Sequence, residues 1–148
     1  MEAIAKDKAE RAFAVVKSPV LVEDVALVFT ALKQLPGPLI KWFLEALEND
    51  GLCRMLDAYQ DRGAQASVVF ALCDQTDVHT FSASIEGTIA QTPRGKMGFG
   101  WDPIFIPSGH TKTWGEMTND EKHETSMRKI ALEQASRYLA TVSDQISS

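Results

Sequence analysis

Cysteine is scarce. Cys53 and Cys73 are the only thiols among 148 residues, and they stand alone rather than at metal-ligand spacing. That argues against a disulfide framework and makes free buried thiols in a reducing compartment the expectation. Long apolar runs are lacking too: no stretch approaches the roughly 20 residues a membrane span needs, so no membrane partner is expected. Positive charge is in deficit, with 15 Lys and Arg against 20 Asp and Glu and a net charge of -5. A general nucleic-acid binder needs a basic face, which argues against nucleic acid as a partner, whereas a small phosphorylated ligand needs only a few local cations. Histidine is sparse and scattered, at His79, His110 and His123, with no HxxxH spacing to suggest a metal or nucleophile role. Residues 1–8 mix charges and read as helix rather than as a secretory signal, which points to a cytoplasmic protein.

What is present suits one domain over residues 1–148, with 45% hydrophobic residues to build a core. Residues 3–17 repeat apolar side chains at helical spacing, and Ser18-Pro19 ends that helix. Val20-Leu21-Val22 predicts a short buried strand ending at Glu23-Asp24, with Leu27-Val28-Phe29 apolar beyond it. Pro36-Gly37-Pro38 fixes a rigid bend. Residues 39–48 predict a helix, Asn49-Asp50-Gly51 a break, and Leu52, Met55 and Leu56 a second short helix. Residues 66–73 read as a mid-sheet strand and 78–90 as its antiparallel hairpin partner. Ile104-Phe105-Ile106 is strand-like. Thr118 and Glu121 match a capping box that opens the last helix, and residues 144–148 read as a frayed tail.

The chemistry-bearing stretch is Phe99-Gly100-Trp101-Asp102-Pro103-Ile104-Phe105, preceded by Pro93-Arg94-Gly95-Lys96-Met97-Gly98. Such a loop can lay a flat ring against Phe99 or Trp101 while Asp102 bonds polar edges. Base stacking of that kind is worth roughly 1–3 kcal/mol. Equally, a glycine-rich turn can use its rings to plug the core. Glu23 and Asp24 at a strand end suit a hard cation such as Mg²⁺, or a water that Asp24 orients, or else form a solvated turn. Lys41 in the first turn of a helix opposes the helix dipole, a misfit tolerated if it serves an anion. The alternative is an exposed lysine with its stem on apolar neighbours. Lys122, Ser126 and Arg128 lie near a helix start, where anions are favoured, or else make up a solvated polar face. Ser126 lacks the flanking glycines of a nucleophile elbow, which argues against a serine hydrolase.

Taken in order, Val20-Leu21-Val22-Glu23-Asp24, Leu35-Pro36-Gly37-Pro38-Leu39-Ile40-Lys41-Trp42-Phe43, the Phe99–Phe105 stretch, Glu121-Lys122 and Ser126-Met127-Arg128 resemble the inosine triphosphate pyrophosphatase family, also called the HAM1 family. The resemblance covers nearly the whole chain. It implies a mixed α/β fold, α+β in its sheet, with two lobes and a nucleotide cleft between them. It also implies Mg²⁺-dependent hydrolysis of noncanonical purine triphosphates (ITP, dITP, XTP) to monophosphate and pyrophosphate by a homodimer. By resemblance Asp24 is the catalytic carboxylate that helps hold metal or activate water, and Lys41 and Lys122 face the phosphates; Glu23 joins Asp24 as a metal ligand on the reading of the pair itself. Phe99 stacks on the base beside Trp101, Asp102 and Arg128 read the purine edge, and Ser126 lies next to them.

The chain also departs from the family pattern. It opens at the helix that follows the family's first strands, so the fold is expected to lack those strands, their phosphate-cradling loop and one metal-binding glutamate. Reduced activity, or a catalytically dead nucleotide-binding or dimerisation module, is the alternative this raises, together with open strand edges that invite pairing with another chain. Val25-Ala26, Leu39 and Met127 replace hydroxyl residues, a tyrosine and a histidine, and Met127 thereby removes one polar reader of the base.

Overall fold

The strand β1 (Val20–Phe29) runs straight through Glu23 and Asp24. The expected strand end at this carboxylate pair is therefore corrected: both residues sit mid-strand. The cause is the ladder, since β1 is an interior strand of a five-stranded sheet ordered β2-β1-β3-β4-β5. Its pairing with β3 keeps the backbone extended past the carboxylates, while β2 pairs with it further along, at Leu27 and Val28. The protein, described by a computed structural model over residues 1–147, combines this sheet with four α-helices, α1 (Glu2–Val16), α2 (Ile40–Arg54), α3 (Asn119–Glu124) and α4 (Met127–Ser147). The mixed α/β architecture expected from the sequence is the one found.

Strand β2 is the short segment Pro36–Gly37, pairing antiparallel with β1 at Val28 and Leu27. Gly37 has φ +62 and its missing Cβ would lie 2.5 Å from the Gln34 carbonyl oxygen, so the predicted bend admits no side chain there. Strands β3 (Gly63–Cys73) and β4 (Val78–Ile89) are joined by the turn at Asp74, whose Oδ1 accepts from the Thr76 and Asp77 amides at 2.8 and 2.9 Å. So tight a connection between neighbouring strands requires the antiparallel hairpin expected from the sequence. Strand β5 (Phe105–Pro107) pairs antiparallel with β4. Opposite it Gly87 is needed, because a Cβ there would lie 2.4 Å from the Ile106 carbonyl oxygen and 2.6 Å from the Phe105 ring.

Two compact units divide the chain. The first contains residues 1–24, 68–83 and the chain from 127 onward. Its core sets Ala5 and Ala9 of α1 against Val69, Ala71 and Cys73 of β3, flanked by Phe13, Val20 and Val22. Alanine lets the helix axis approach the sheet closely; Val15 and Val16 stay exposed, although the helical pattern included Val16. The helix stops as predicted: Lys17 takes the left-handed conformation and donates its N–H to the Phe13 carbonyl at 2.7 Å.

The second unit contains residues 25–67 and 84–126. Leu27, Phe29, Leu52, Leu56, Ile104, Phe105 and Trp114 are fully buried. Arg62, read from the sequence only as part of a turn, donates to the carbonyls of Cys53, Ile89 and Ala90 at 3.0, 3.0 and 2.8 Å. The expected helix break after residue 48 is present, but one residue early: Glu48, at φ 57 and ψ 179, interrupts α2. Gly51 has a packing role, since its Cβ would meet the Leu47 Cβ at 2.7 Å.

The capping box is found as predicted, with Thr118 Oγ1 accepting from the Glu121 amide and Glu121 Oε2 from the Thr118 amide, both at 3.2 Å. The single last helix is corrected. It is broken at Thr125, whose hydroxyl donates to the Lys122 carbonyl at 2.9 Å and competes with the helical ladder. Lys122 is therefore on α3 and Arg128 on α4, in different units. α4 continues to Ser147, while Ser148, the last residue of the tail expected to fray, lies outside the described residues.

Candidate functional site

In the second unit the site is built on the loop around Phe99. Gly98 and Gly100 flank Phe99 with φ of +73 and +61, conformations that L side chains rarely adopt. The Phe99 N–H donates to Asp102 Oδ2 at 2.9 Å. Asp102 is itself buried, 4% exposed, and the same oxygen accepts from Lys122 Nζ at 2.5 Å. A Cβ on Gly98 would lie 1.9 Å from that oxygen, so only glycine lets the carboxylate reach the loop. Lys122 Nζ also sits 4.6 Å from the Phe99 ring centroid and 5.6 Å from that of Trp114.

The two rings of this stretch divide the alternatives between them. Trp101 is half-buried, edge-on to Phe105 at 5.8 Å and tilted over Trp114 at 5.6 Å, so it plugs the core. Phe99 is 67% exposed and presents its ring to solvent. The Trp114 indole is held by its Nε1–H, which donates to Thr125 Oγ1 at 2.9 Å. Ser126 is buried in the link between α3 and α4. Lys41 is exposed in the first turn of α2, its ammonium 5.7 Å from the Trp42 ring centroid.

In the first unit Arg128 grips Glu23 with two parallel hydrogen bonds, Nε to Oε2 at 2.7 Å and Nη2 to Oε1 at 2.9 Å. This fork geometry fixes both side chains. Asp24, next along β1, projects to the opposite face of the strand. Its Oδ2 is buried without a hydrogen-bond partner. Burial pushes the Asp24 carboxyl above the usual carboxylate range, while the nearby Lys8 ammonium pulls it down. Lys8 is held there by donating to the Glu23 carbonyl oxygen at 2.6 Å. Sequence reasoning missed Lys8, because nothing in the helical pattern sets it apart from Lys6.

The structure thus brings together Phe99, Asp102 and Lys122 in one unit, and Glu23 and Arg128 with Lys8 and Asp24 in the other. It does not assemble Glu23 and Asp24 into a chelating pair. Among the described residues no group of three or more His, Cys, Asp or Glu side chains could hold a metal ion. The orphaned Asp24 oxygen nevertheless suits Mg²⁺, which takes one or two protein carboxylates and completes its shell with water and substrate phosphates.

A sequence model of the Ham1 family matches residues 1–138. The chain belongs to the Ham1 family. This Ham1 family member is 44% identical over 147 residues to the inosine triphosphate pyrophosphatase of Yarrowia lipolytica, covering 98% of the chain and 78% of that protein. It is 47% identical over 141 residues to the inosine triphosphate pyrophosphatase of Aspergillus fumigatus, covering 94% and 74%. Among solved structures, a HAM1 protein from Coxiella burnetii superposes with a TM-score of 0.84 at 33% identity, over 93% of this chain and 75% of that one. The Staphylococcus aureus Ham1 protein gives a TM-score of 0.79 at 26% identity, over 93% and 74%.

Proposed function

We propose that this Ham1 family protein hydrolyses noncanonical purine nucleoside triphosphates, ITP, dITP and XTP, to the monophosphate and pyrophosphate. One observation carries the reading: relatives bearing the name inosine triphosphate pyrophosphatase align with 94–98% of the chain and are 44–47% identical over it. The exposed Phe99 ring on its clamped loop supports it, because a base stacked there would gain roughly 1–3 kcal/mol.

The roles follow from the chemistry of each group. Phe99 stacks on the base, and Asp102 and Lys122 hold the loop that carries it. Arg128, oriented by Glu23, donates to the 6-oxo oxygen of hypoxanthine or xanthine. Adenine offers a 6-amino donor at that position, and two facing donors stay unpaired at a cost of about 1–3 kcal/mol. Asp24 accepts the proton of the attacking water. The water oxygen bonds to phosphorus as the bridging P–O bond between the α and β phosphates breaks and pyrophosphate leaves. Lys41 offers a cation to the phosphates. Asp24, through the oxygen that has no hydrogen-bond partner, would hold Mg²⁺, while Glu23 on the opposite face of β1 stays with Arg128. Bound there, the ion would offset the negative charge of the phosphate oxygens.

The same reading takes residues 1–148 as one domain acting as a cytoplasmic homodimer. Pyrophosphate release from ITP and from ATP, with and without Mg²⁺, tests the function. Faster release from ITP that depends on Mg²⁺ is expected. Nucleotide binding without pyrophosphate release, or equal rates on ATP, overturns it.

A further inference from the structure

Among the glycines of the Phe99 loop, Gly100 has the most open surroundings. A Cβ there would meet only Leu44 Cδ2, at 3.9 Å, so packing does not fix this peptide. A hydrogen bond does. Asn49 Nδ2 donates to the Gly100 carbonyl oxygen at 3.0 Å, reaching across 51 residues of sequence. Asn49 follows Glu48, where α2 is interrupted. Its Oδ1 is buried with no hydrogen-bond partner, so the amide sits there at a cost to the fold. A side chain that leaves half its amide unsatisfied and holds a loop with the other half fits a role in the loop's work better than one in stability.

Phe99 lies between joints at Gly98 and Gly100, both at positive φ. Asp102 fixes the first side through the Phe99 N–H. We propose that Asn49 fixes the second and is a positioning residue for nucleotide binding: by holding the Gly100 peptide it sets the direction in which the exposed Phe99 ring meets the base. This rests on Phe99 being the base platform.

The test is calorimetric binding of inosine monophosphate to the full chain, which needs no turnover. Asn49→Leu removes both the donor and the buried orphan oxygen at similar size. Asn49→Asp keeps the shape and turns an acceptor toward the carbonyl. Both variants are expected to weaken binding about 5- to 10-fold, and Asn49→Leu to do so with an unchanged or raised Tm. In a Phe99→Ala background the same substitutions are expected to change affinity by less than about twofold, the non-additivity of groups acting through one another. Full-sized losses in the Phe99→Ala background, or unchanged affinity in both Asn49 variants while Phe99→Ala binds weakly, overturn the proposal alone. Unchanged affinity in Phe99→Ala overturns the base-platform reading and the proposal with it.

Discussion

Phe99 and Trp101 stand two residues apart, one 67% exposed and the other packed against Phe105 and Trp114. Their substitutions should separate cleanly. Phe99→Ala is expected to weaken inosine monophosphate binding about 10-fold, the equivalent of about 1.4 kcal/mol, with Tm nearly unchanged. Trp101→Ala is expected to cost about 2–4 kcal/mol of stability in urea titration, since it opens a cavity beside two rings. The thiols give a second prediction at this scale. Cys53 and Cys73 are free and buried, as expected from the sequence. Burial pushes the Cys53 thiol up to about 11. An unfolded thiol titrates near 8.5, so above that pH the unfolded chain sheds a proton that the folded chain keeps. The stability this group contributes is complete below about pH 8.5 and is lost as the pH rises toward 11. Urea midpoints are expected to fall between about pH 8.5 and 10, and Cys53→Ala to remove part of that slope.

Among elements, the break between α3 and α4 decides which side chains work together. Without it, Lys122 and Arg128 would share one helix; with it, Lys122 pairs with Asp102 and Arg128 with Glu23. Thr125 holds the break through the Lys122 carbonyl and also receives the Trp114 indole N–H. Thr125→Val keeps the shape but leaves a buried indole donor unpaired, which is expected to cost about 1–3 kcal/mol. Urea denaturation measures that loss, and an unchanged midpoint would show that the hydroxyl is dispensable. In β1 the sheet likewise overrides a local signal, continuing through Glu23 and Asp24 where the strand was expected to end.

At the scale of the molecule, β2 covers only part of β1 among the described residues. The register of β2 meets β1 only at Leu27 and Val28, although β1 begins at Val20. Unpaired strand edges attract other chains, which supports the proposed homodimer. Sedimentation velocity at micromolar concentration is expected to give twice the chain mass of 16.3 kDa. A species of single-chain mass at that concentration would overturn it.

Local and short-range signals sufficed for much of this protein. The Thr118 capping box, the stop before Ser18-Pro19, the hairpin across residues 74–77 and the ordered motifs that place the chain in its family are all set by side chains acting within a few residues of themselves. What only the tertiary structure decided depends on partners far along the chain. Glu23 meets Arg128 across 105 residues, Asn49 meets Gly100 across 51, and Asp102 meets Lys122 across 20. The choice between Trp101 as core and Phe99 as exposed ring was equally hidden, because burial belongs to the packed molecule and not to the residue type.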